Sequence, residues 1–261
     1  MTARTVVASV STALAICVAG CTSFYEIPVE TPIQAKIDVA PFQRVLVAGF
    51  LNGGSQAIDA NSETARLLRS QLRSKQELRV IDADPLPLVD EMDRRLGRVP
   101  QTATLPEASG TMEASGPRIK DEKDLEAYKA IFEDAEFWRA LGAEYQGPLI
   151  VTGSVIFNEV SRSGVVSRPQ SFVNQEGREE YRTVRTYSDM KGFSLSPTFV
   201  FIDGRTGVRL YTEVYNEEAL YPSTQNTPAL SSYFELMDKL LPSFLNSLST
   251  QKIRGSRVLL K

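Results

Sequence analysis

Two rhythms of apolar positions alternate along the chain. Residues 44–49, Arg-Val-Leu-Val-Ala-Gly, are a short apolar, β-rich run that predicts a buried central strand, with residues 50–54 as the loop after it. Asn61 then reads as an N-cap, opening a helix to about Lys75 with Ala65, Leu68 and Leu72 on one face. Residues 78–81 predict a second buried strand, and residues 85–96 a short helix carrying Leu88, Met92 and Leu96. The clearest helical period runs over 121–145, through Leu125, Tyr128, Ile131, Phe132, Ala135, Trp138, Leu141 and Tyr145. Residues 148–160 predict a third strand, 161–177 a polar, turn-rich stretch, and 181–187 an alternating one. Residues 193–202 and 208–215 read as strands joined by a hairpin turn at 203–207. Thr227 and Pro228 mark the start of a helix over 228–249 that buries Leu230, Tyr233, Phe234, Met237, Leu240, Leu241, Phe244 and Leu248, with a kink at Pro242. A strand over 257–260 ends the order. The resulting class is α/β (α+β): a mixed β-sheet with helices packed on it and one extended β-hairpin.

Residues 97–120 break both rhythms with three prolines and three glycines among Ser, Thr and Ala, and predict a mobile loop. Residues 22–41 hold Pro28, Pro32 and Pro41 and read as an extended tether, reaching at most ~65 Å at about 3.3 Å per residue. The expected organisation is a signal peptide at 1–20, a tether at 21–41 and one domain at 42–261.

The first residues have the three-part build of a secretory signal: Arg4, a short apolar stretch over 6–18, then small residues. Val18-Ala19-Gly20-Cys21 resembles the lipobox of bacterial lipoproteins. That resemblance implies cleavage before Cys21, a diacylglycerol on its sulfur and a further acyl chain such as palmitate on its amine, enough chains for stable anchoring. Thr22, rather than an acidic residue, follows Cys21, which in lipoprotein sorting resembles the outer-membrane default. The expected localisation is therefore the outer membrane, with the domain facing the periplasm.

Composition narrows the chemistry. The two cysteines are Cys17, lost with the signal, and Cys21, taken by lipid. There is no histidine, which excludes Ser-His-Asp and Cys-His nucleophile systems and every imidazole metal site. No catalytic residue, metal ligand or cofactor is expected, and the chain does not read as an enzyme. Net charge is −3, and loss of Arg4 makes it one unit more negative, which argues against a nucleic-acid partner.

Weaker features have plain readings. Gly49, Gly53 and Gly54 lack the pattern of a P-loop or dinucleotide fold, and read as a flexible turn. Asp82, Asp84, Glu91 and Asp93 read as solvated acids. Tyr181, Tyr187, Tyr211, Tyr215 and Tyr221 read as sheet packing. Lys252, Arg254, Arg257 and Lys261 read either as a surface for anionic headgroups or as protection of an edge strand.

Several segments together resemble the curli production assembly/transport (CsgG-like) lipoprotein family. They are Cys21, residues 45–50 (Val-Leu-Val-Ala-Gly-Phe), residues 63–68 (Glu-Thr-Ala-Arg-Leu-Leu), residues 78–82, residues 149–155 (Leu-Ile-Val-Thr-Gly-Ser-Val) and the 198–207 hairpin. The resemblance implies a membrane-tethered, non-enzymatic periplasmic core, shared with the amino-terminal domain of the Tol translocation protein, that works through protein contacts. The expected function is a protein-binding or scaffold module in envelope assembly or secretion. The alternative is a homo-oligomeric secretion-channel subunit, but neither face of 181–190 carries the apolar band that a membrane barrel needs, and 216–227 is too short for two crossings. Residues 161–190 interrupt two apolar strands, carry charges of both signs, and hold Phe172, Tyr181, Arg185 and Tyr187. These four are the expected contacts with an envelope protein partner.

Overall fold

The computed structural model describes residues 24–75, 78–98, 119–249 and 251–260. The expected signal peptide, Cys21 and most of the 97–120 loop lie outside them. The chain forms two units. One is a two-stranded antiparallel ribbon, β1 (Phe24–Ile33) paired with β8 (Gln251–Leu260) from Phe24↔Leu260 to Ile33↔Gln251. Arg254 reaches Glu30 at 3.0 Å and the Ser256 hydroxyl donates to Glu26 at 3.1 Å. The stretch read as an extended tether is thus a paired strand, and the final strand is longer than expected. Both differences arise because the pairing partner is more than two hundred residues away, beyond any local pattern. The domain boundary expected at residue 42 falls at residue 36, and residues after 248 leave that body.

The other unit spans Lys36–Leu248. Its elements are β2 (Arg44–Gly54), α1 (Ala60–Arg73), β3 (Arg79–Val80), α2 (Leu88–Arg95), α3 (Glu122–Glu126), a 3-10 turn (Lys129–Glu133), α4 (Ala135–Glu144), β4 (Leu149–Val173), β5 (Glu179–Asp203), β6 (Arg209–Val214), β7 (Glu217–Pro222) and α5 (Ala229–Leu248). The sheet order is β3-β2-β4-β5-β6, with β7 also on β5. β2 pairs in parallel with β3 and β4; the remaining pairs are antiparallel. This is the expected mixed sheet with helices on it. The backbone N–H of Ile37 donates to the Ser247 carbonyl at 3.0 Å, so the body's first and last residues meet.

Strand alternation sends odd and even residues of β4 to opposite faces. Leu149, Val151, Val155 and Phe157 pack with α1 and α5, whereas Ile150 and Ile156 pack with α2, α3 and α4. In β2 the register slips between Val47 and Gly49, and the residues facing α1 and α5 change from Val45 and Val47 to Phe50. That is the parity switch a β-bulge produces. Gly49 sits there at φ 135°, where a Cβ would come within 2.5 Å of the Leu86 carbonyl oxygen.

Local chemistry explains where elements start. Asp59, not Asn61, caps α1, accepting from the Ser62 N–H at 3.2 Å. Asn61 instead bridges the bulge: it accepts from the Phe50 N–H at 2.7 Å and donates to the Leu86 carbonyl at 3.2 Å. The helix expected over 121–145 is broken. Asp134 leaves helical geometry and caps α4 by accepting from the Phe137 N–H at 3.0 Å, while its other oxygen takes Arg95 at 2.6 Å. In α5 the fully buried rings are Tyr233 and Phe244; Phe234 is half-buried and Leu230 is exposed. The Thr227 hydroxyl is buried without a hydrogen-bond partner, so it caps nothing.

Candidate protein-docking ribbon

β4 and β5 stay paired, without a register shift, from Leu149↔Asp203 to Val173↔Glu179. Their inner halves are sheet core. β2 stops pairing with β4 at Phe157, and β7 covers β5 only from Met190 to Leu195. Beyond those points the hairpin continues as two strands with no third beside them among the described residues. Residues 158–173 at about 3.3 Å each span roughly 50 Å. The turn-rich stretch expected over 161–177 is therefore strand as far as Val173, and the reversal occupies only 174–178. There Asn174 Oδ1 accepts from the N–H groups of Glu176 and Arg178 at 3.0 and 2.9 Å, and Gly177 takes φ 77°. At the root, Arg162 pairs with Glu218 on β7 at 2.6 Å.

Three of the four expected contact residues share a face. Tyr181, Arg185 and Tyr187 lie at odd positions, opposite Ser171, Ser167 and Val165. This is the outward continuation of the face that buries Phe193, Phe199 and Phe201 under α5. Phe172 stands opposite Glu180 on the other face, so the structure does not bring it to the tyrosines. Tyr181 is 74% exposed and Tyr187 67%, against 40% for Phe172. Val165 and Val173, both about as exposed as the tyrosines, complete the odd face; the sequence reading missed them because each adjoins an apolar residue of the opposite face, Val166 or Phe172, and so shows no alternation. Arg185 makes no ion pair among the described residues. The Arg182–Glu180 contact at 3.3 Å is exposed, and such pairs contribute little.

Below the ribbon lies a cleft of about 540 Å³, lined by Glu159, Ser161, Lys191, Phe193, Tyr221 and residues 225–229. It is larger than the space beside the glycine run, about 230 Å³. That run is not a loop but the end of β2, pairing Gly53↔Ile156 and Gly54↔Phe157. The Gly54 N–H is spent on the Ile119 carbonyl at 2.8 Å, and a Cβ on Gly53 would meet Ile119 at 2.6 Å. The glycines serve close packing.

The acids expected as one solvated group divide. Asp82 takes Arg69 and Arg73, and Glu91 takes Arg94 and Arg95. Asp93 is buried and accepts from the Tyr128 hydroxyl at 2.9 Å, while Arg98 donates to that hydroxyl at 3.0 Å. Burial, then the Asp93 bond, raises the Tyr128 phenol above its ordinary range. Tyr211, Tyr215 and Tyr221 are half-buried in the sheet, unlike Tyr181 and Tyr187. Lys36 and the Ser247 hydroxyl both donate to Glu213. Burial alone would raise that carboxyl, but these donors outweigh it and hold it below the usual range. Of the basic tail, Arg254 and Arg257 are exposed on β8. Among the described residues no group of His, Cys, Asp or Glu side chains could hold a metal ion, and no helix is long and apolar enough to cross a membrane.

No protein-family model matches the chain, and no curated protein matches it. Two solved structures are similar over most of their length. One is described as a neuraminyllactose-binding hemagglutinin homolog from Helicobacter pylori: 8% identity, TM-score 0.33, 82% of this chain and 86% of that one. The other is lipoprotein GNA1162 from Neisseria meningitidis: 13% identity, TM-score 0.32, 79% of this chain and 99% of that one. Likeness at this level carries no functional argument.

Proposed function

We propose that the chain is a lipid-anchored envelope protein that holds a protein partner on its projecting ribbon. The observation behind this reading is the ribbon itself: strands that run far past the core and expose Tyr181, Tyr187, Val165 and Val173 on one face. Aromatic anchors among polar residues suit a protein interface. Cys21 supplies the anchor in this reading, and the outer membrane is the proposed site, with the body in the periplasm. Membership in the curli assembly/transport family belongs to the same proposal. Catalysis has no part in it.

Replacing residues 163–189 with a Gly-Asn turn, which joins the paired positions Arg162 and Met190 and removes both tyrosines, tests the ribbon. The melting temperature should stay nearly unchanged, while crosslinking to the native partner in intact membranes is lost. Recovery of the same partners by the shortened protein would place the contact elsewhere. A Cys21→Ser variant should fail to incorporate labelled palmitate and lose membrane attachment. The channel-subunit reading draws on one observation: each ribbon strand exceeds the 9–11 residues of a membrane crossing. Against it, Arg162, Arg168 and Arg182 interrupt one face, and Arg185 and Asp189 the other. A detergent-extracted particle of ring size would favour it.

A further inference from the structure

We infer that the terminal ribbon, β1 paired with β8, lies with one face on the bilayer that carries the anchor. This rests on the lipid proposed for Cys21 and assigns a second contact with the same membrane. In an antiparallel pair, opposed residues share a face and successive residues alternate between the two. The register therefore places Ile27, Val29 and Thr31 of β1 on one face, with Arg257, Gly255 and Ile253 of β8 opposite them. Glu26 and Glu30 fall on the other face, with Arg254 and Lys252. The bonds agree with this division. Glu30 takes Arg254 at 3.0 Å and Glu26 takes the Ser256 hydroxyl at 3.1 Å, both within the second face.

The basic tail is thus split. Arg254 is spent on Glu30, while Arg257 is the one charged residue that the register gives the first face. Arg257 is exposed and makes no ion pair among the described residues. Around it the face is apolar, with Ile27 36% and Val29 38% exposed. Both carboxylates of the ribbon are on the far side. A two-stranded ribbon is marginal in water unless its apolar side is covered.

Reach and charge together select the cover. Phe24 follows Cys21 by three residues, so β1 begins at most ~11 Å from the acylated sulfur. An apolar face with one cation and no anion matches the boundary between acyl chains and phosphates. The Arg257 stem can follow the apolar surface while its guanidinium meets a lipid phosphate. A second copy fits poorly. Packed face to face, two copies would bury both guanidinium groups on surfaces that hold no carboxylate, at a large desolvation cost. The contact lies along the interface and not through it, because two open strand edges cannot be satisfied in hydrocarbon.

The test uses the lipidated mature protein. With Cys17 removed and Cys21 acylated it has no other thiol, so one introduced cysteine takes a fluorescent label. Thr31→Cys puts the label on the apolar face and Ser256→Cys puts it on the charged one. Vesicles of phosphatidylethanolamine and phosphatidylglycerol carry nitroxides on their acyl chains as quenchers. Quenching at position 31 should exceed that at 256 by about threefold or more, as an interfacial face sinks below the headgroups. Closeness to the anchor alone gives the reverse order, because Ser256 opposes Pro28, nearer Phe24 than Thr31 is. Adding Val29→Asp should bring the two labels within about twofold of each other, with the protein still attached by its lipid and its melting curve unchanged. Equal quenching at the two positions, stronger quenching at 256, or no response to Val29→Asp overturns the inference. Concentration-dependent energy transfer between labels at position 31 without lipid quenching would make the cover a second copy, and also overturns it. So does shielding of that label from aqueous iodide when no vesicle is present, which would make the cover protein. Palmitate incorporated with an unquenched label at 31 sinks this contact alone. No palmitate in the parent chain sinks the anchor, and this contact with it.

Discussion

β5 is one strand with two lives. At its inner end Phe201 is fully buried, with its ring 5.8 Å from Phe244 and 6.2 Å from Tyr211. At its outer end Tyr187 lies on the same face, by the same alternation, and is two-thirds exposed. Residue type and backbone are alike; what differs is the neighbour. α5 and β6 cover the inner end, and nothing among the described residues covers the outer one. Stability belongs to the first half and availability to the second.

The comparison breaks most sharply on substitution. Phe201→Ala should cost about 3–5 kcal/mol in denaturant unfolding, as a buried ring leaves a cavity. Tyr187→Ala should stay within about 0.5 kcal/mol while reducing partner capture. Equal losses would show that the outer half is covered. Next comes Tyr128→Phe, away from the ribbon. It removes the hydroxyl that serves both Asp93 and Arg98. A loss of about 1–3 kcal/mol is expected from the same measurement.

A smaller effect is conditional on pH. Glu213 is held below the usual carboxylate range in the folded state, so its contribution is fully present above the unfolded pKa. It is lost as pH falls through the folded value. Glu213→Gln should flatten the acid side of the stability curve, read by urea midpoints at successive pH values. An acid limb as steep as the parent's would place the sensitivity in other groups, Asp134 and Asp203 first, since both are also depressed. Smallest of all is Arg185→Ala, which should move the melting temperature by no more than experimental error, because the side chain is exposed and makes no ion pair among the described residues.

The two halves also differ in how far the sequence discloses them. Where one side of an element is buried, the apolar pattern is constrained, and α1, α2, α5 and the inner strands fall within a few residues of expectation. Ser161 to Val173 has no buried face to impose a pattern, so a long strand looked like turns. The break at Asp134 was hidden for the opposite reason: apolar spacing runs through it, and only a side-chain cap interrupts the helix. At the candidate site, alternation alone groups Tyr181, Arg185 and Tyr187. Excluding Phe172 needed the register of the opposing strand, which depends on the turn at 174–178. The β1–β8 pairing, joining both ends of the chain, left no local trace.

The hydrogen bond between Ile37 and Ser247 has a practical consequence. A body whose two ends meet at 3.0 Å is topologically a cassette. It can be lifted out at residues 36 and 248 and spliced into a surface loop of an unrelated host, with neither junction stretched. The same closeness allows new termini to be opened at a loop tip, with the old ones joined by a short linker. A recombinant display of the ribbon thus needs neither the membrane nor the paired ends.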